Sequence, residues 1–171
     1  MCLNCVFHST DLRRVPDVQL RPYEPHDFAA LYEIDHSCFP RGIAYSKRML
    51  RYFLAMPTAT CLLAVDGEKI GGFVLGEMVG SEAHIVTLDV AEAFRRRGVG
   101  SLLLNALEKS VAQQGAQAMI LETAVNNDAA IALWKRHGYR NEGILKRYYL
   151  GKVDALQMRK LLLPPAINTG G

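Results

Sequence analysis

The sequence predicts a single mixed α/β domain, a β-sheet with helices on both faces. Three observations predict it. Segments of helical apolar spacing alternate with short runs of β-formers in the order β-α-α-β-β-β-α-β-α-β-β. The 171 residues are about one domain's worth of chain and can bury around 70% of the unfolded surface without a staple. A content of 50% hydrophobic and 22% charged residues excludes a disordered, collagenous or coiled-coil chain.

Residues 1–16 read as an extension, 17–162 as the domain and 163–171 as a tail. Val18 to Arg21 is a short strand. Pro25 suits the first turn of a helix that Phe28, Leu31, Tyr32, Ile34 and Asp35 continue. Cys38-Phe39-Pro40-Arg41-Gly42 interrupts it. Ser46 is the N-cap of a second helix bearing Met49, Leu50, Phe53 and Leu54, which Pro57 ends. Thr60 to Val65 and Ile70 to Met78 form a hairpin over Asp66-Gly67-Glu68-Lys69. His84 to Val90 is rich in β-formers and reads as the next strand. From Gly98 the pattern turns helical, with Leu102, Leu103, Ala106, Leu107 and Val111 on one face and Gly115 as the stop. Ala118 to Thr123 is a strand. Asn126-Asn127-Asp128 opens a helix bearing Ala130, Ile131, Leu133 and Trp134, stopped by Gly138. Ile144 to Leu150 and Ala155 to Leu161 close the sheet.

Charge and cysteines narrow the function. A net charge of +3 with no basic tail points away from nucleic acid. The charge-free stretch Phe53 to Val65 is too short to span a bilayer, and the N-terminus lacks the apolar run of a signal peptide. The expectation is a cytoplasmic chain with no membrane partner, either monomer or homodimer. Cys2-x-x-Cys5-x-x-His8 has the form of half a zinc site, but no second half follows. The four cysteines read as free thiols in a reducing compartment, with no metal.

The informative junction is the strand ending at Val90, the loop Ala91 to Arg97 and the helix from Gly98. Gly98 and Gly100 let a ligand approach the backbone, and the helix's first turn offers unpaired N–H groups to a phosphate. Arg95, Arg96 and Arg97 add cationic side chains. Leu103 occupies the third glycine position of a dinucleotide fingerprint, and no Gly-Lys-Ser/Thr follows, so neither nucleotide motif applies. Arg95-Arg96-Arg97-Gly98-Val99-Gly100 resembles the acyl-CoA pyrophosphate loop of the GNAT acetyltransferase superfamily. Asn127-x-x-Ala130-x-x-Leu133-Trp134-x-x-x-Gly138-Tyr139 resembles that superfamily's second signature. The resemblance spans residues 18–161 and implies the acyltransferase fold, with a mostly antiparallel central sheet. Phe39-Pro40, Leu121-Glu122 through Leu133, and Arg147-Tyr148-Tyr149 resemble the N-terminal protein acetyltransferase branch, which includes the ribosomal-protein alanine acetyltransferase.

The resemblance implies acetyl-CoA as co-substrate and a peptide or protein N-terminus as acceptor, a ribosomal protein among the candidates. The backbone of Leu88, Asp89 and Val90 would pair with the pantetheine arm. Arg95, Arg96, Arg97, Gly98, Val99, Gly100 and Ser101 would hold the pyrophosphate. Asn127 either hydrogen-bonds the pantetheine or caps its helix. Phe39, Pro40, Tyr45 and Tyr149 would line the acceptor site. Glu122 interrupts the apolar run Met119-Ile120-Leu121, where burial should lift a carboxylate's pKa toward that of a useful base; the competing reading is a salt bridge. His84 is the second candidate base. Trp134 stands where the family carries an acidic tyrosine. Indole cannot act as an acid, so Trp134 packs against the core or the pantetheine. Tyr148 is then the candidate acid, and strand alternation puts Tyr149 on the opposite face. The function implied is acetyl transfer to a primary amine, most readily a protein α-amine. The alternatives are a small-amine acetyltransferase acting on a polyamine, aminoglycoside or amino acid, and a non-catalytic acyl-CoA-binding module.

Overall fold

A computed structural model describes residues 18–40 and 42–162. The predicted extension, the tail, and Cys2, Cys5 and His8 lie outside the described residues. The chain begins with β1 (Gln19–Pro22), a 3-10 turn at Pro25–Asp27, α1 (Phe28–Cys38) and α2 (Lys47–Leu54). Three strands follow, β2 (Ala59–Asp66), β3 (Lys69–Val79) and β4 (Glu82–Val90). After a 3-10 turn at Glu92–Phe94 come α3 (Val99–Gln113), β5 (Ala118–Ala124), α4 (Asp128–Arg136), β6 (Arg140–Tyr149) and β7 (Val153–Leu161). The predicted order holds throughout.

Local chemistry explains the helix ends. The Ser46 side chain accepts from the Met49 N–H and caps α2 as expected. Pro25 starts a 3-10 turn rather than α1 itself, and Asp27 accepts from the Glu24 N–H there. The strand predicted from Ile144 begins at Arg140 instead. Its first residues are polar because β6 is the last strand of the sheet and leaves most of them exposed. An edge strand need not alternate apolar and polar residues.

The seven strands form one sheet in the order β1-β2-β3-β4-β5-β7-β6. Every neighbouring pair is antiparallel except β4 with β5. Period-2 alternation divides the core in two. Val74, Ile85, Met119 and Leu121 pack on one face with Leu103, Leu104 and Leu107 of α3 and Trp134 of α4. Leu63, Phe73 and Leu75 pack on the other with Leu31 and Ile34 of α1 and Leu50 of α2.

Two irregularities break the regular sheet at β4. Leu75 pairs with Thr87, but the next residue, Gly76, pairs with Ile85, so Val86 is the extra residue of a β-bulge in β4. Ile85 and Leu88 therefore both pack toward α3, while Val86 turns toward α1 and α2. Beyond the bulge, β4 leaves β5. Their ladder runs only from Glu82↔Ala118 to His84↔Ile120, whereas β4 continues to Val90 and β5 to Ala124. The sheet opens between them.

Gly72 fixes the other side of β4. A Cβ at Gly72 would sit 2.6 Å from the Asp89 carbonyl oxygen, a backbone atom with nowhere to move. We expect Gly72→Ala to cost about 1–3 kcal/mol, the usual penalty of overpacking. A fall in the urea midpoint checks this; an unchanged midpoint would mean that β3 and β4 are not held this closely.

Candidate active site

The opening between β4 and β5 has a defined hydrogen-bonding edge. The Ala91 N–H donates to the Gly71 carbonyl at 2.9 Å, so position 91 faces β3. Antiparallel alternation then turns the backbone groups of Leu88 and Val90 outward, into the opening. Asp89, predicted to share that role, instead presents its carbonyl to Gly72. Its side chain is buried, with Oδ1 accepting from the Thr87 hydroxyl at 2.9 Å and Oδ2 unpartnered. Burial first, and the Asp35 carboxylate second, push Asp89 up to about 8.

The loop into α3 forms the far end. Arg96 (φ 58°) and Gly98 (φ 82°) both take left-handed conformations, which wind the backbone into the helix entry. No side chain caps α3, so the N–H groups of Val99, Gly100 and Ser101 are the open donors of its first turn. The side chains of Arg96 and Arg97 stand exposed beside them. Two predicted contributors are otherwise engaged. The Arg95 Nε donates to the Val90 carbonyl at 2.8 Å, and its guanidinium reaches Cys38 Sγ at 3.4 Å. The Ser101 hydroxyl pairs with His137 Nε2 at 2.9 Å, which leaves its backbone N–H for a ligand. Position 100 is flanked by Leu88, Val90 and Leu133, so α4 borders the same opening.

The near end holds the titratable groups. His84, in the last paired position of β4, and Glu122, two residues beyond the last paired position of β5, meet at 2.7 Å between Nε2 and Oε2. The expected upward shift of Glu122 is reversed: the His84 hydrogen bond outweighs burial and holds the carboxylate below its ordinary range. Glu122 is thus the predicted carboxylate, hydrogen-bonded to the second predicted residue, His84. Sequence reading missed Glu77, whose Oε1 lies 3.9 Å from His84 Nδ1. Its signal was a carboxylate in the otherwise apolar β3, the same signal that singled out Glu122.

The end of β6 reaches this pair, and the loop between α1 and α2 meets the turn that follows it. Phe39 ends α1, and Pro40 follows it at the surface. Tyr45 is held at both ends: its N–H donates to Asp35 Oδ2 at 2.8 Å and its hydroxyl to the Val86 bulge carbonyl at 3.1 Å. Burial raises its hydroxyl pKa. Tyr148 and Tyr149 do not fall on opposite faces. A register shift between Leu145 and Tyr149, with Arg147 at φ 55°, brings their rings edge to face at 5.0 Å. The Tyr149 hydroxyl donates to the Glu122 carbonyl at 3.2 Å, and burial pushes it up to about 12. Tyr148 is 49% exposed. Leu150 reaches across to Gly42, where a Cβ would lie 3.2 Å from its Cδ2.

Two motif residues take structural roles. The Asn127 Oδ1 accepts from the Ala130 N–H at 3.2 Å and caps α4. Trp134 was expected to contact the cofactor or the core. It is 6% exposed, within the α3-side core, and edge-on to Tyr139 at 5.7 Å. Its Nε1 has no partner. Among the described residues no group of His, Cys, Asp or Glu is placed to hold a metal, and no helix is long and apolar enough to cross a membrane.

Residues 28–139 match the Acetyltransferase (GNAT) family. An N-alpha-acetyltransferase of Sulfurisphaera tokodaii is 36% identical over 160 residues, 86% of this chain and 95% of that protein. The crystal structure of Ard1 from Thermoplasma volcanium superposes with a TM-score of 0.77 at 27% identity, covering 85% of this chain and 98% of that one. Arabidopsis thaliana NAA60, solved in complex with acetyl-CoA, shares the fold with a TM-score of 0.75 at 22% identity, covering 85% and 98%.

Asp89 makes stability fall as pH rises. In the folded chain it stays protonated up to about 8, whereas in the unfolded chain it ionises above about 4. Between those values the folded state binds the extra proton, so each pH unit removes up to about 1.4 kcal/mol of stability. Asp89→Asn should gain on the wild type from pH 5 to pH 8 in urea unfolding. Parallel stability curves would show that Asp89 is ionised in the fold. Trp134→Tyr replaces a core ring with a smaller one and should cost about 1–2 kcal/mol with little change in kcat. A tenfold fall in kcat at unchanged stability would put the indole in the chemistry instead.

Proposed function

The chain belongs to the GNAT acetyltransferase family, and we propose that it moves the acetyl group of acetyl-CoA to the α-amine of a protein N-terminus. One observation carries this reading: the Glu122–His84 pair stands where β4 and β5 part. The opening gives the donor a bed along β4, and the pair meets it at its inner end. The relative named N-alpha-acetyltransferase supports a protein α-amine as acceptor.

The residues fit acetyl-CoA. The outward groups of Leu88 and the Val90 N–H offer a strand edge to the amides of a pantetheine arm, an added strand in all but name, while the Val90 carbonyl is held by Arg95. The N–H groups of Val99, Gly100 and Ser101, at the positive end of α3, would hold the diphosphate with Arg96 and Arg97. Bound there, acetyl-CoA supplies an activated acetyl carbonyl and a thiolate leaving group.

Deprotonation of the acceptor falls to the pair. The acceptor arrives as an ammonium and is nucleophilic only after losing a proton. Glu122 is kept ionised by His84, so it takes that proton directly or through one water. Two carboxylates at this end, Glu122 and Glu77, also draw in a cation. Phe39, Pro40 and Tyr149 border the path by which a chain terminus would reach them. Tyr45 supports that path from behind. The Tyr148 hydroxyl is the donor left for the departing sulfur. Burial raises its pKa, with the Glu122 charge adding to the effect, so it stabilises the thiolate by hydrogen bonding more readily than by full proton transfer.

Glu122→Gln should keep CoA affinity by calorimetry while kcat falls about 100-fold, within the range for loss of a general base. The assay is thiol release with a panel of peptides bearing free N-termini, against polyamines, aminoglycosides and free amino acids. Turnover confined to the small amines would overturn the peptide assignment. Tight CoA binding without turnover on any acceptor would leave a binding module.

A further inference from the structure

The catalytic pair is part of a longer row. Glu77 of β3 pairs across strands with His84 of β4, and His84 pairs with Ile120 of β5, two residues before Glu122. Glu77 and Glu122 therefore flank one imidazole, at 3.9 Å from Nδ1 and 2.7 Å from Nε2. All three side chains are at most 25% exposed, so water screens them little. The other groups around Glu122 are Gln157 of β7, its cross-strand neighbour, and the Tyr148 and Tyr149 hydroxyls of β6, which feel its charge.

We propose that Glu77 is a positioning residue that makes the Nδ1 edge of His84 the site's second proton acceptor. The inference rests on the reading of Glu122 and His84 as the catalytic pair. A neutral imidazole carries one N–H. The 2.7 Å contact to an ionised carboxylate assigns that hydrogen to Nε2. Nδ1 is then the ring's one basic atom, and it faces Glu77. At 3.9 Å the Glu77 carboxylate is too far from Nδ1 for a hydrogen bond. When a proton leaves the acceptor ammonium, its N–H bond breaks and an N–H bond forms at Nδ1, directly or through water. The imidazolium then has a carboxylate at each nitrogen, as a triad carboxylate stabilises its imidazolium. Glu77 never touches the acceptor. It sets how well the ring holds the proton.

The test combines rates with a readout that needs no turnover. In Glu77→Gln, kcat on the peptide acceptor should fall about tenfold while KM for acetyl-CoA stays fixed. The acidic limb of the kcat/KM profile should move to lower pH, because the ring loses a carboxylate that favours its charged form. Glu77→Asp should restore most of the rate. Nitrogen-15 NMR of the His84 ring should show the neutral ring protonated at Nε2 in the wild type, and less Nδ1 protonation at a given acidic pH in Glu77→Gln. A His84 titration that superimposes on the wild type's in a folded Glu77→Gln overturns the proposal. So does a shifted ring titration with an unchanged rate profile. Wild-type rates in Glu122→Gln and His84→Gln would instead refute the catalytic pair, and the ring titration would still test the link to Glu77.

Discussion

The early parting of β4 and β5 is the constraint on which the rest depends. A parallel pair gains a regular ladder for every residue it keeps, yet this one stops at His84↔Ile120. The bulge at Val86 is the cause visible in the backbone: one extra residue bends β4 and re-aims everything beyond it. Without it, the backbone groups of Leu88 and Val90 would bond to β5 and no edge would remain for a ligand. The opening also decides where the proposed chemistry sits, because His84 and Glu122 lie at its closed end, where the two strands still hold each other in register.

A feature that interrupts a ladder must be held by something else. Here the support comes from the α1 side. The Tyr45 hydroxyl satisfies the Val86 carbonyl that the bulge orphans, and the Tyr45 N–H is held by Asp35, itself fully buried. The bulge, the loop after α1 and the end of α1 are therefore one hydrogen-bonded unit. Asp89 and Asp35 stand in the same layer, and each keeps a carboxylate oxygen without a partner. Burial raises both, because taking a carboxylate out of water disfavours its charged form. On the neighbouring row Glu122 has the opposite shift, because an imidazole reaches it. The two kinds of carboxylate differ in whether an imidazole hydrogen-bonds them.

The sequence made the donor half of the site readable, because that half is local. Arg96 to Ser101 is one turn entering one helix, and glycines after a strand announce it. The order of all the elements was readable for the same reason, apart from the start of β6, where an exposed edge leaves no alternation to see. The acceptor half is non-local. His84 and Glu122 could each be singled out as odd residues in apolar strands, but their contact, 38 residues apart, depends on the register of β4 with β5. Burial of Glu122 was foreseeable and its partner was not, so the direction of its shift came out reversed. The destinations of the Tyr45, Asp89 and Arg95 side chains were hidden likewise, since each follows from a bulge that no composition signals. The burial of Trp134 was readable from helical spacing alone.

The roof over the acceptor site shows how such a non-local half is kept in place. Arg147 and Leu150 both sit at φ 55°, a conformation costing a branched or bulky residue about 1–2 kcal/mol. Nothing in their own side chains repays it. The compensation lies in Asp154, whose carboxylate accepts from the Arg147 N–H at 2.8 Å and from Lys146 Nζ at 2.7 Å. Its backbone carbonyl accepts from the Val125 N–H just past β5. One residue of β7 therefore ties the strained turn to the strand that carries Glu122. That tie is what lets Tyr148 and Tyr149 face the pair together, against strand alternation, and brings Leu150 over Gly42. The strain is thus the geometric condition for a roof whose aromatic residues face the Glu122–His84 pair.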